Sequence, residues 1–278
     1  MKGFLRKFST RFFLIYLPLA VFCFYILFPI LWTIGTSLKP EKEIFPLRYL
    51  PAHPTLEHYI KVFTDPRFLR FFLNSVTVSL STALGAILVT VLSGYSIARF
   101  KFRGKATIIM LILGTQMFPA ALLAIPLYTI MMKLSLLNSL IGLMLVYVTL
   151  QIPFCTVMMR GFFAGVPVEL EEAAMIDGCS RVGALFKVSL PLVLPGMVAT
   201  GIFAFIGSWN ELMLAVTLLE DVESMTFPVG LSQFIGETEI LWGRMNAAAI
   251  AALLPAVILF AFIQRYLVQG LSSGAVKG

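Results

Sequence analysis

The chain has 278 residues, of which 59% are hydrophobic and only 13% charged, and its mean hydropathy is +0.93. An ordinary soluble domain carries roughly 25% charged residues, so this composition excludes one and indicates a membrane protein. The net charge of +7 does not point to nucleic acid, because the bases fall between apolar runs rather than on one face, which is the pattern of membrane topology.

At the N-terminus Lys2, Arg6, Lys7 and Arg11 precede an apolar run that is too long for a signal peptide and lacks a small-residue cleavage site, so an anchor is expected there. A charge at the bilayer centre costs about 2.5 to 3.5 kcal/mol on insertion scales, so charge-free intervals mark the segments that can span. Six such intervals occur: Arg11 to Lys39, Arg70 to Arg99, Lys105 to Lys133, Lys133 to Arg160, Lys187 to Glu211 and Arg244 to Arg265. Each holds the roughly 20 residues that a spanning helix needs. The pattern predicts an all-α membrane protein with a single transmembrane domain over 1–278. Its spans lie near 12–38, 71–97, 106–131, 136–158, 190–214 and 246–265, with a loop over 160–189 between the fourth and fifth.

Six spans place both termini on one side. That side collects most of the bases, in the N-terminus, the Arg99 to Lys105 turn, the Arg160 to Lys187 loop and the tail, so both termini are expected in the cytoplasm. Outside, Lys39 to Arg70 is basic but also holds Glu41, Glu43, Glu57 and Asp65. Beyond span five Glu220, Asp221, Glu223, Glu237 and Glu239 face only Arg244. Two prolines in "MFPAALLAIPLY", Pro119 and Pro126, predict a broken or curved third span beside a pathway. Cys23, Cys155 and Cys179 have neither metal-type spacing nor a disulfide framework, and His53 and His58 at i, i+5 in one external loop are read as solvated rather than as a metal pair.

The stretch "EEAAMIDGCSRVGALFKVSLPLVLP", Glu171 to Pro195, interrupts the apolar pattern. Pro167 suits a first helical position, and Glu169, Glu171 and Glu172 place negative charge where the helix dipole favours it. Val166, Leu170, Ala173, Ala174 and Asp177 share one face that is small and apolar up to its terminal charge. Gly178 can take positive φ and close this helix, and Ser180 can cap the next, whose stripe is Val182, Leu185, Phe186 and Leu190 before Pro191 opens span five. A helix lying on lipid would be basic, and Ala173 and Ala174 would bury little area there. A small knob that enters a protein groove fits better.

These residues resemble the EAA loop of binding-protein-dependent ABC importers, whose pattern is E-A-A, three residues, G, nine residues, I-x-L-P. Glu172, Ala173, Ala174, Gly178, Val188, Leu190 and Pro191 match it, with Val188 in place of Ile. "WNELMLA", Trp209 to Ala215, and the tail "QRYLVQGLSSGAVKG" are similar to the smaller permease subunit of maltose-type carbohydrate importers. The resemblance implies that the loop is a coupling helix seated in a cleft of an ATPase subunit. It implies that Glu172 pairs with a charge of that ATPase, Ala173 and Ala174 permit insertion, Gly178 shapes the turn, and the Gly270 to Gly278 tail reaches the same interface. Its implied partners are a second, larger permease subunit, two ATP-binding ATPase subunits and an external sugar-binding protein that touches the loop from Glu220 to Trp242, all at the cell inner membrane. ATP and magnesium would sit on the ATPases, with no cofactor in this chain, which has no G-x-x-x-x-G-K-[ST] phosphate loop.

Uncharged polar residues inside spans are the candidates for a solute path: Asn74, Gln116, Gln151 and Asn210, with Trp209 offering an aromatic face and Glu211 an ionisable group close by. The rival reading is an ion-coupled secondary transporter working alone. It would need a midplane carboxylate or a broken inverted repeat, and neither is visible.

Overall fold

The charge-free intervals become helices in the computed structural model, which describes residues 12–45, 48–233 and 241–275, with the backbone alone at Phe12, Ile263 and 265–275. The N-terminal basic run, Gly236, Glu237, Glu239 and the last three residues lie outside the described residues, as do the side chains of the tail expected at the ATPase. Among the described residues every regular element is helical.

A π turn over Phe12–Tyr16 leads into α1 (Leu17–Ser37), and α2 (Glu57–Thr64) precedes α3 (Pro66–Arg99). Then follow α4 (Lys105–Thr115), α5 (Ala120–Lys133), α6 (Leu140–Ala164), α7 (Val168–Ile176) and α8 (Arg181–Ala184). A second π turn over Leu185–Ser189 joins α8 to α9 (Leu190–Trp209), after which come α10 (Met213–Leu218), α11 (Phe227–Ser232) and α12 (Trp242–Ala275). Among the described residues five helical stretches are long and apolar enough to cross a membrane: Phe13–Ser37, Pro66–Arg99, Leu140–Ala164, Arg181–Trp209 and Trp242–Phe262. The pair α4 and α5 makes a sixth if it counts as one span, bent by 93°. The break falls at the "MFP" stretch, where Pro119 is extended (φ −59°, ψ 131°) and caps α5, while Pro126 lies within α5 without ending it.

Helix ends depart from the charge intervals for backbone reasons. α6 continues past Arg160 to Ala164, because what stops it is the Gly165-Val166-Pro167 turn rather than the arginine, whose long stem can carry its charge outward. The helix leading into α9 starts at Arg181 rather than at Pro191. Pro191 cannot donate to Lys187 O and its ring crowds that carbonyl, and the wide π turn immediately before it accommodates both.

The described residues fall into two compact units, one within Met1–Pro66 and Leu231–Leu254, the other within Arg67–Gly230 and Pro255–Gly278. In the first, Lys39 is almost fully buried: its Nζ donates to Arg48 O (2.5 Å) and lies 5.1 Å from the Trp32 ring centre, while His58 Nε2–H donates to Lys39 O (2.9 Å). In the second, α3 buries Ser75, Ser79, Thr82, Ala86 and Thr90 along one narrow stripe. Such small residues let membrane helices approach closely. At Gly94 a Cβ would stand 2.6 Å from Met159 Cβ of α6, so no larger side chain fits that crossing.

Candidate functional site

The segment from Pro167 to Ser189 is built by local chemistry. α7 starts one residue after Pro167, with Glu169 and Glu171 in its first turn. Gly178 has φ +89° and no atom within 4 Å of where its Cβ would be, so the backbone conformation alone demands glycine there. Ser180 Oγ accepts from Gly183 N–H (3.1 Å) and caps α8. Leu170, Ala173 and Asp177 are exposed, with Ile176 at 86%, and Val182 and Phe186 continue the exposed apolar surface. Glu172 is exposed as well and makes no hydrogen bond or ion pair among the described residues. Ala174 and Val188 are half-buried, as is Leu190, while Pro191 is exposed.

Its neighbour Glu171 points the other way and is 4% exposed. Oε1 accepts from Arg99 Nε (2.7 Å) and from Ser189 Oγ, and Oε2 accepts from Tyr95 OH (2.9 Å). Arg99 also donates from its terminal nitrogen to Val166 O (2.9 Å). Burial pushes the Glu171 carboxyl up, but the hydrogen bonds from Ser189, Arg99 and Tyr95 and the Arg99 charge outweigh it and hold the group below its ordinary value. Beneath the cluster lies an apolar floor of Val91, Met159, Phe163, Leu185 and Val193, and Tyr95 meets Phe163 edge to face at 5.3 Å. The guanidinium of Arg181 covers the Phe100 ring at 5.2 Å on the same side. Sequence reasoning gave Glu171 only a dipole role and missed Arg99, Tyr95 and Ser189. The available signal was an arginine ending span two, which requires an acid if it is buried.

Of the solute-path candidates, Gln151 and Glu211 lie at the seam of α6 and the end of α9, and Trp209 and Asn210 precede Glu211 in the chain. Gln151 of α6 packs on Gly207 of α9, where a Cβ would lie 2.4 Å from its amide nitrogen. Trp209 is 2% exposed, stacked on Phe205 (5.7 Å) and Phe227 (6.1 Å) and edge-on to Phe72 (5.5 Å). Asn210 is exposed at the C-cap of α9 and its amide donates to Ile206 O (3.1 Å). Glu211 lies in the break before α10: its carboxylate accepts from Leu214 N–H (2.9 Å) and Ala215 N–H (3.1 Å), and from Tyr147 OH of α6 at 2.5 Å. Tyr147 did not stand out in the sequence, since a tyrosine in an apolar run reads as ordinary packing. Gln116 is exposed at the end of α4, at the break of the bent pair, and its side chain forms no hydrogen bond among the described residues. Asn74 donates to Glu223 O and Met225 O, both at 2.9 Å, and so holds the segment ahead of α11.

A family model described as "Binding-protein-dependent transport system inner membrane component" matches residues 86–273. A sulfoquinovosyl glycerol transport system permease protein of Agrobacterium fabrum is 41% identical over 254 residues, 91% of this chain and 89% of that protein. A diacetylchitobiose uptake system permease protein of Streptomyces coelicolor is 36% identical over 255 residues, 91% of this chain and 92% of that protein. Among solved structures, a chain of a bacterial ABC transporter involved in the import of the acidic polysaccharide alginate has a TM-score of 0.80 at 24% identity, covering 93% of this chain and 97% of that one, a likeness of fold.

Proposed function

Since the chain belongs to the family of binding-protein-dependent transport system inner membrane components, we propose that it is a permease subunit of an ABC importer that moves a sugar or oligosaccharide into the cytoplasm. Both termini and α7 face the cytoplasm, as the distribution of bases favours, in the cell inner membrane. Two ATPase subunits bind ATP and magnesium and hydrolyse the nucleotide. A second, larger permease subunit completes the pathway, and an external sugar-binding protein delivers the solute at the acidic segment after α10. The polar seam with Gln151, Asn210 and Glu211 lies along the solute path, with Trp209 behind it and Gln116 at the bend of the broken span.

The observation that carries this reading is the exposed α7 knob, acidic at Glu172 and small at Ala173, set within the matched region between two long apolar helices. A small convex helix whose Glu169 and Glu172 carboxylates have no partner among the described residues suits a protein cleft with a basic residue better than it suits an anionic membrane surface. Alternating access follows if the ATPase pair closes on nucleotide and carries the knob with it. The sugar class rests on the relatives, permease proteins for sulfoquinovosyl glycerol and diacetylchitobiose.

The test is co-purification followed by reconstitution. The chain, with its larger partner subunit, should hold two P-loop ATPases through detergent extraction, and in proteoliposomes should take up a sugar only with ATP inside and the loaded binding protein outside. Uptake by the chain alone, driven by an ion gradient, would replace this reading with the secondary-transporter one.

A further inference from the structure

The Glu171 cluster lies directly behind the proposed docking surface, and its partners come from elements far apart in the chain. Tyr95 and Arg99 end α3, Glu171 belongs to α7, Ser189 closes the π turn that runs into α9, and Val166 O follows α6. Both carboxylate oxygens and two guanidinium nitrogens are engaged, and the Glu171 and Arg99 side chains are each 6% exposed. An apolar interface alone would let α7 slide, because such contacts have no direction. A buried carboxylate held by three donors has a fixed position relative to each of them, and separating it from Arg99 leaves two desolvated charges.

Resting on the permease reading above, we infer that Glu171 and Arg99 are positioning residues of the coupling step: they lock α7 to α3 and to the start of α9, so that a push on the exposed knob moves two spans together. The adjacent glutamates divide the work. Glu172 faces the partner, and Glu171 ties the knob to the bundle. Arg99 reaches the Glu171 carboxylate and the Val166 carbonyl with two nitrogens held in one plane, which fixes the angle between the two contacts as a freely rotating lysine ammonium would not. The cation of Arg181 on Phe100 adds a further positive group to the same face without touching the carboxylate.

The whole complex in proteoliposomes tests this, with solute moved per ATP hydrolysed as the readout and the amount of bound ATPase as the control. Glu171→Gln alone strands the Arg99 charge and should lower the yield of complex. The double variant Glu171→Gln with Arg99→Met removes both charges, and replacing a buried ion pair by groups of similar volume often preserves folding. It should bind ATPase and hydrolyse ATP like the wild type yet move at least fivefold less solute per ATP, since the knob then slips. If the double variant yields too little complex, Tyr95→Phe with Ser189→Ala keeps the ion pair and removes two ties, and the ratio should fall at least twofold. A wild-type ratio in the double variant, or in the second pair where that is the one measured, overturns the inference while ATP-driven uptake by the wild type leaves the permease reading intact. Absence of ATP-driven uptake in the wild type overturns both.

Discussion

Glu171 and Glu211 both stand where the apolar helices of one unit are interrupted, and both carboxylates accept several hydrogen bonds, but from different kinds of donor. Glu211 takes two of its donors from the next turn of its own backbone and one from Tyr147 across the seam, with no cation in ion-pair range among the described residues. Glu171 takes all its donors from side chains of other elements, one of them charged. The first arrangement is a local helix cap with a single tether. The second is a junction that exists only when α3, α7 and the start of α9 are in place. One carboxylate therefore shapes a helix break, and the other is the junction proposed to transmit force.

Removing the tether at Glu211 should have the larger effect on stability, because no charge remains to hold that carboxylate. Tyr147→Phe deletes a donor to it from a buried position, at a cost of about 1.5 to 3 kcal/mol, which would be read as reduced resistance of the purified complex to denaturant. Solute uptake should fall in parallel. Gly178→Val should come next. Forcing a β-branched residue to φ +89° costs about 1 to 2 kcal/mol, and with no neighbour to clash against the loss is conformational, so the variant should insert normally and show weakened coupling of hydrolysis to uptake. Ser189→Ala removes one of three donors to Glu171 while Tyr95 and the Arg99 charge stay, so its cost should fall at the low end of the range for a bond to a charged group, about 1.5 kcal/mol, and below that of Tyr147→Phe. Equal costs at the two sites would erase the distinction between tether and junction.

The smallest expected effect is that of pH. The folded-state pKa of Glu171 lies below its unfolded value, so the stabilisation it contributes is fully present above the unfolded carboxylate range near 4.3 and is lost only as pH falls through the lower folded value. Between pH 5 and 8 the wild-type complex should show no change in solute moved per ATP that Glu171→Gln abolishes. A step in that window present in the wild type and absent in the variant would show that the cluster titrates there.

What the sequence made legible was whatever a few neighbouring residues decide. Charge-free intervals mark candidate spans because insertion cost is local, and Pro119 breaks the α4 and α5 pair through its own backbone. Gly178 and Ser180 turn and cap the loop within a few residues of themselves. The inward rotation of α7 was not legible. Patterning marks the face of Leu170 and Ala173 as the one offered to a partner, and both are exposed, but it does not show that Glu171 is buried, because that depends on Arg99, more than seventy residues earlier, which needs a counter-charge where α3 ends. The register of α6 against α9, which brings Tyr147 to Glu211 and Gln151 to Gly207, is likewise a product of helix packing that neither segment encodes alone. Helix ends were displaced for the opposite reason: charges bound where a span can lie, and backbone chemistry at Pro167 and Pro191 decides where the helix stops or widens.

The exposed half of α7 is proposed to engage an ATPase through Glu172. A dipole role alone would be worth about 0.3 to 1 kcal/mol, whereas an ion pair at a partly desolvated interface costs about 3 to 5 kcal/mol when one partner is lost. The measurement is ATP hydrolysis stimulated by the loaded binding protein in the reconstituted complex carrying Glu172→Arg, repeated with a basic residue of the ATPase cleft changed to glutamate. The expected result is loss of ATPase association or of stimulated hydrolysis in the single variant and partial recovery in the swapped pair. Full stimulated activity of Glu172→Arg against the unmodified ATPase would contradict the claim.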